Sequence, residues 1–146
     1  KKRINVAIKL IPQMAALGFE FSNRNIDMNH ELVERMKGIG YSHRDAIVFV
    51  RAKGCCEYCG VDLIHDRIAW DAVQFDHIIP KSKGGNDEEE NLALSCKVCN
   101  NAKMTFLPDG ADRSMRIESA KKHIHSRREH ANEFWHTVSK MFHEYY

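Results

Sequence analysis

No run of this chain is apolar for long enough to cross a bilayer, so a membrane-spanning role is not expected. The opening residues, KKRINVAIKLIPQM, hold only a short apolar run with no small-residue cleavage site behind a long hydrophobic segment, so a secretory leader is not expected either. The first residue is lysine instead of methionine, which leads us to expect further sequence upstream. An internal repeat is lacking, and so is any low-complexity tract, which sets aside solenoids and compositionally biased linkers. Charge of one sign is not in excess: 22 Lys and Arg stand against 20 Asp and Glu, a net +2. So small a total says little about partners and leaves the local patterning to be read instead. Cysteine is scarce and odd in number, five residues at 55, 56, 59, 96 and 99. That count, in CxxC pairs, speaks against a disulfide framework and for metal binding in a reducing compartment. The expected location is the cytoplasm.

What is present suits one domain of ordinary size: 146 residues, 43% hydrophobic and 29% charged, enough to bury a core without staples. Residues 1–26 are the hardest to read, because INVAIKLI fits a strand or a helix start and Pro12 interrupts it. Ile26 to Lys37 reads as a helix with Asn29 able to cap it and Leu32, Val33 and Met36 on one face. Ser42-His-Arg-Asp45 resembles a capping box ahead of AIVFV, and Gly54 closes that helix. Residues 61–79 favour strand around Leu63–Ile64, Ile68–Trp70 and Val73–Phe75. A polar loop follows from Lys81 to Glu90, then a short strand in NLALSC and a helix opened by CKVCNNAKM. From Asp112 onward Ile117, Ile124, Ala131, Val138 and Tyr145 recur every seven residues, with Ala120, Phe134 and Met141 between them. That stripe fits either a core face packed on the N-terminal helices or a homodimer through the C-terminal helix. The expected organisation is a mostly helical flank over 1–53, a core over 54–107 and a long helix over 108–146, together one compact α+β domain.

Cys56-Glu-Tyr-Cys59 and Cys96-Lys-Val-Cys99 form two knuckles. A gap of two residues lets both thiolates of a knuckle face one ion, and four thiolates close a tetrahedral structural zinc site with sulfur about 2.3 Å from the metal. Cys55 is left over and is read as a bystander.

Between the knuckles stand FDHIIPKSKGG and NLALSC, and the second knuckle runs into CNNAK. With these strings in this order, the segment from Gly54 to Met104 resembles the HNH endonucleases, the ββα-metal nucleases in which a hairpin and a helix surround one catalytic divalent ion. It is similar to the H-N-N variant with a four-cysteine zinc site. The resemblance implies roles residue by residue. His77 matches the general base, and an unperturbed histidine, with a pKa of about 6.5, can take a proton from water near neutral pH. Asn91 matches the middle asparagine, which fixes the loop and helps orient the base. Asp76 and Asn100 match the ligands of the catalytic ion, and two hard oxygen donors favour Mg²⁺ or Mn²⁺. Asn101 competes with Asn100, which has the better register with Lys103. The activity implied is hydrolysis of phosphodiesters in DNA, a chemistry used in restriction, phage defence, intron mobility and phage packaging.

Alone, each of these residues has an ordinary structural reading: a strand end, a turn, a helix cap. The other class of function that fits is a non-catalytic zinc module that binds nucleic acid. One geometric difficulty stands out. Neighbours on a regular strand face opposite sides, so Asp76 and His77 can share a site only near a strand end. For the DNA backbone the candidates are Lys81 and Lys83 on the loop, Lys103 one helical turn from Asn100, and Arg113 and Arg116 at the head of the last helix. The histidines at 123, 125, 130, 136 and 143 do not share a face and read as surface residues.

Overall fold

The computed structural model describes residues 28–145. The reading of INVAIKLI and Pro12, and the first residues of the helix expected from Ile26, lie outside them. Helix α1, Met28–Gly38, buries Val33 and Met36, which fall on one face three residues apart. Leu32, expected on that face, is exposed. Helix α2, His43–Arg51, starts at the foreseen cap: the Ser42 hydroxyl accepts from the Asp45 amide at 3.1 Å. The reciprocal half of a capping box is replaced by an ion pair, since the Asp45 carboxylate holds the Arg44 guanidinium at 3.3 Å. The chain leaves α2 through two left-handed residues, Lys53 and Gly54, at φ 55° and 67°.

The stretch over 61–79 corrects the strand reading. Arg67–Asp71 is a short helix, α3, because Asp66 caps it by accepting from the Ala69 amide at 2.8 Å. That local bond outweighs the β-preference of Ile68 and Trp70. Around Leu63–Ile64 only a single bridge forms, Cys55 with Asp62. Strand β1 is Val73–His77 and strand β2 is Leu92–Cys96. They pair antiparallel, with Asp76 opposite Ala93 and His77 opposite Leu92. β2 is buried along its whole length, the polar Ser95 included.

Helix α4, Lys97–Lys103, leaves β2 directly, and α5, Arg113–Tyr145, packs against α4. The described residues from Leu32 onward form one compact unit. Its core joins Val48 and Phe49 of α2, Ile78, the β2 residues, and Ile117, Ala120 and Ile124 of α5. Trp70 meets Phe49 edge-on at 5.4 Å, and Tyr41 bridges Trp70 and Phe75, which fastens α3 beside the hairpin. The seven-residue stripe of α5 is thus core over its first half only. Beyond Ala131 its Phe134 and Met141 are exposed, as are Trp135 and Phe142. Among the described residues no helix is long and apolar enough to cross a membrane.

Candidate active site and metal centre

The two knuckles converge. The sulfurs of Cys56, Cys59, Cys96 and Cys99 all lie within 4.8 Å of one another. Cys59 and Cys96 are 3.9 Å apart, close to the edge of about 3.8 Å that a tetrahedral zinc with four thiolates requires. The first knuckle turns at Gly60, whose amide returns to the Cys56 carbonyl at 2.8 Å, and the second is the first turn of α4, where the Cys96 sulfur accepts from the Cys99 amide at 3.3 Å. Crowding polarises the set: hydrogen bonds from Cys96 and Cys99 hold the Cys56 thiol far below its ordinary range, while the same contact with Cys56 pushes Cys99 up. Arg128 of α5 donates to the Cys99 sulfur at 3.7 Å. The four cysteines are suited to a structural metal such as zinc, and Cys55 stands outside the group.

The knuckle also reaches the hairpin. Glu57 donates its amide to the Leu94 carbonyl at 2.8 Å and accepts the Leu94 amide on Oε2 at 2.9 Å. Tyr58 donates its phenol to Asp76 Oδ2 at 2.6 Å. Burial, then the charge of Asp76, hold that phenol far above its usual range, so it stays a donor. Asp76 is itself buried, and its second partner is Lys103, whose ammonium sits 3.0 Å from Oδ2 and 3.3 Å from Oδ1. Lys103 also donates to the His77 carbonyl at 2.7 Å. Burial pushes the Asp76 carboxyl up, against the opposing pull of Lys103 and Tyr58. Lys103 was expected to meet a phosphate. It is instead wholly buried, because α4 carries it under the hairpin, where the Asp76 charge compensates it.

Asp76 and His77 nevertheless line one cleft of ≈ 370 Å³, together with Lys81, Ser82, Asn100 and Thr105. The cleft opens where β1 ends and Pro80 turns the chain, which is how neighbours on a strand come to share it. Asn100 is half-buried there, and Asn101 is exposed. A carboxylate offers about four lone-pair sites, so Asp76 keeps capacity for a cation beside Tyr58 and Lys103. Asp76 and Asn100 could therefore hold a hard divalent ion.

The loop behind the cleft is held by Asn91. Its Oδ1 accepts the Ile79 amide at 2.9 Å, and its Nδ2 donates to the carbonyls of Ile79 and Asn86 at 3.1 and 2.8 Å. The side chain thus closes a loop of a dozen residues and does not enter the cleft. Gly85 has no room for a side chain, since a Cβ there would lie 1.8 Å from the Ile79 carbonyl oxygen. Two arginines of α2 clamp the far side: Arg44 donates to the Asp87 carbonyl at 3.0 Å, and Arg51 to the carbonyls of Glu89 and Leu92 at 3.1 and 2.7 Å.

His77 Nε2 lies 2.8 Å from Asp87 Oδ1, which also takes the Lys81 ammonium at 2.8 Å. Of the basic residues expected on DNA, Lys81 lines the cleft while paired with Asp87, and Lys83 is exposed. Arg113 is spent internally, on Glu57 at 2.7 Å and the Leu92 carbonyl at 2.9 Å, and Arg116 donates to the Gly110 carbonyl at 3.0 Å. Tyr58, Asp87 and Arg44 were not foreseen. Only Tyr58 carried a signal, its place inside the first knuckle.

An antiparallel hairpin running into a helix, tied by four cysteines and carrying an Asp-His pair at the strand end, defines an α+β metal-site core. Residues 56–106 match the family model for HNH endonuclease, and the four cysteines within that segment are consistent with a zinc-site variant of it. No curated protein and no solved structure matches the chain. HNH nucleases act on DNA and use divalent metals, and the domain supports nuclease activity or nucleic-acid binding.

Proposed function

We propose that this protein is a divalent-metal-dependent endonuclease that hydrolyses phosphodiester bonds in DNA. The observation that carries the reading is the single cleft lined by Asp76, His77 and Asn100. His77 takes a proton from a water molecule as that oxygen bonds to phosphorus. The bond from phosphorus to one sugar oxygen breaks, and the departing oxygen takes a proton from solvent. Asp76 and Asn100 would hold Mg²⁺ or Mn²⁺, which when bound stabilises negative charge on the phosphate. Asn91 keeps the loop closed behind the base. Lys81 at the rim, and Lys83 exposed two residues further on, meet backbone phosphates without reading sequence.

A second reading, a zinc module that binds nucleic acid without cutting it, has one observation in its favour. Both oxygens of Asp76 are already engaged by Tyr58 and Lys103, as in a purely structural ion pair. Relaxation of supercoiled plasmid with Mg²⁺ separates the two. The wild type is expected to cut and His77→Ala to be slower by about 10²–10⁴-fold, the usual worth of a general base. Equal cutting by both proteins would remove His77 from the mechanism, and binding without cutting by either would favour the module.

A further inference from the structure

We infer that Asp87 is a positioning residue for His77: its carboxylate accepts the Nε2 proton, fixes the ring in one tautomer, and leaves the Nδ1 lone pair to act as base. This rests on the endonuclease reading above and adds a residue to it.

The geometry comes first. His77 Nε2 and Asp87 Oδ1 are 2.8 Å apart and ten residues apart in sequence, joined across the loop that Asn91 closes. An ionised carboxylate can only accept, so the ring nitrogen facing it must carry the hydrogen. A neutral imidazole has one N–H, so the other nitrogen then holds the lone pair. The carboxylate is ionised at any pH where the ring could act: Lys81, then His77, hold Asp87 down at about 2.

The carboxylate is also held in place. Arg44 of α2 grips the Asp87 backbone carbonyl at 3.0 Å and sits 3.7 Å from Oδ1. Lys81, on the same loop, holds the same oxygen at 2.8 Å. Asp87 is thus fixed by two cations while it faces the ring. A carboxylate without such a role would be misplaced here. It stands beside a cleft meant for a polyanion, where a negative charge weakens binding.

That cost supplies the test. If Asp87 is only an exposed acid near DNA, Asp87→Asn removes a repulsive charge and frees Lys81. KM for plasmid would fall and kcat would stay. If Asp87 orients the base, kcat falls by about 10–100-fold, the usual cost of losing a group that orients a functional histidine, while KM does not rise. Asp87→Glu, which keeps the acceptor, should recover part of kcat. In a His77→Ala background Asp87→Asn should cost nothing more, because the two act as a unit.

A second measurement does not depend on cutting. Nitrogen-15 NMR of the His77 ring in the zinc-loaded full chain should show the Nε2–H form in the wild type and a mixture of tautomers in Asp87→Asn. Asp87 is half exposed, so the variant should fold, and circular dichroism checks that it does. An unchanged kcat in Asp87→Asn, or an Nδ1–H ring in the wild type, overturns the inference. Should His77→Ala cut as fast as the wild type, the endonuclease reading through His77 fails and this inference with it. Loss of cutting in His77→Ala with full cutting in Asp87→Asn removes Asp87 alone.

Discussion

The phenol of Tyr58, set between the two cysteines of the first knuckle, donates a 2.6 Å hydrogen bond to Asp76 at the end of the first strand. The metal cage and the candidate active site are therefore one mechanical unit. A hydrogen bond to a charged acceptor contributes about 1.5–3 kcal/mol, and both groups are largely buried. Tyr58→Phe keeps the ring and removes only the donor. It should lower the stability of the zinc-loaded protein by an amount in that range, read from urea denaturation. A change below a few tenths of a kcal/mol would mean that Asp76 finds another donor.

Lys103 gives a sharper case. Its ammonium is fully buried, with Asp76 and the His77 carbonyl as partners. Removing one member of a buried ion pair strands the other, at a cost of about 3–5 kcal/mol. Lys103→Met should therefore be severely destabilised, and Asp76→Asn should fall short of wild-type stability too. The double variant leaves neither charge alone and should be more stable than the sum of the single losses predicts. A double-mutant cycle in urea measures that coupling. Strict additivity would show that the pair does not act as a pair in solution.

How much of this was legible beforehand follows from the range of each interaction. The knuckles, the hairpin strands at Val73–Phe75 and NLALSC, and the helix from CKVC are set by spacing and alternation over a few residues, and they stand where the sequence puts them. Ile68–Trp70 was misread because one capping bond from Asp66 outweighed β-preference. Lys103 and Arg113 looked like surface cations because a sequence shows charge and not burial. Their partners, the buried Asp76 and the half-buried Glu57, lie 27 and 56 residues away. Asp87 was invisible for a related reason. Its meeting with His77 depends on the shape of the loop that Asn91 closes, and no short motif encodes that shape.

Metal removal should undo the core and not merely the cage. The hairpin hangs from the first knuckle through Glu57 and Tyr58, and α4 begins inside the second. One zinc per chain is expected by atomic emission. Chelation should lower the melting temperature and release the hairpin amides to hydrogen exchange. Cys59→Ser should lose zinc, while Cys55→Ser, outside the cluster, should retain it at the wild-type level. Arg128→Ala should release zinc faster to a colorimetric chelator, since its guanidinium donates to the Cys99 sulfur. Loss of zinc from Cys55→Ser would show that the ligand set is misassigned.

The acid limb of stability tests the loop at Asp87. Its folded pKa, about 2, lies below the ordinary value of 3.8, because Lys81 and His77 donate to it. A depressed carboxyl binds protons more readily in the unfolded chain. Its contribution is therefore fully present above the unfolded value and lost as pH falls through the folded one, between about pH 4 and pH 2. The thiolates of the zinc site also take up protons in acid, in wild type and variant alike. The comparison with Asp87→Asn removes that shared background. Wild type should be the more stable above pH 4, and the difference should close by pH 2. The side chain is exposed, so the gap should be small and should shrink further in high salt. A gap that stays constant from pH 5 to pH 2 would mean that the carboxylate of Asp87 holds neither His77 nor Lys81 in solution.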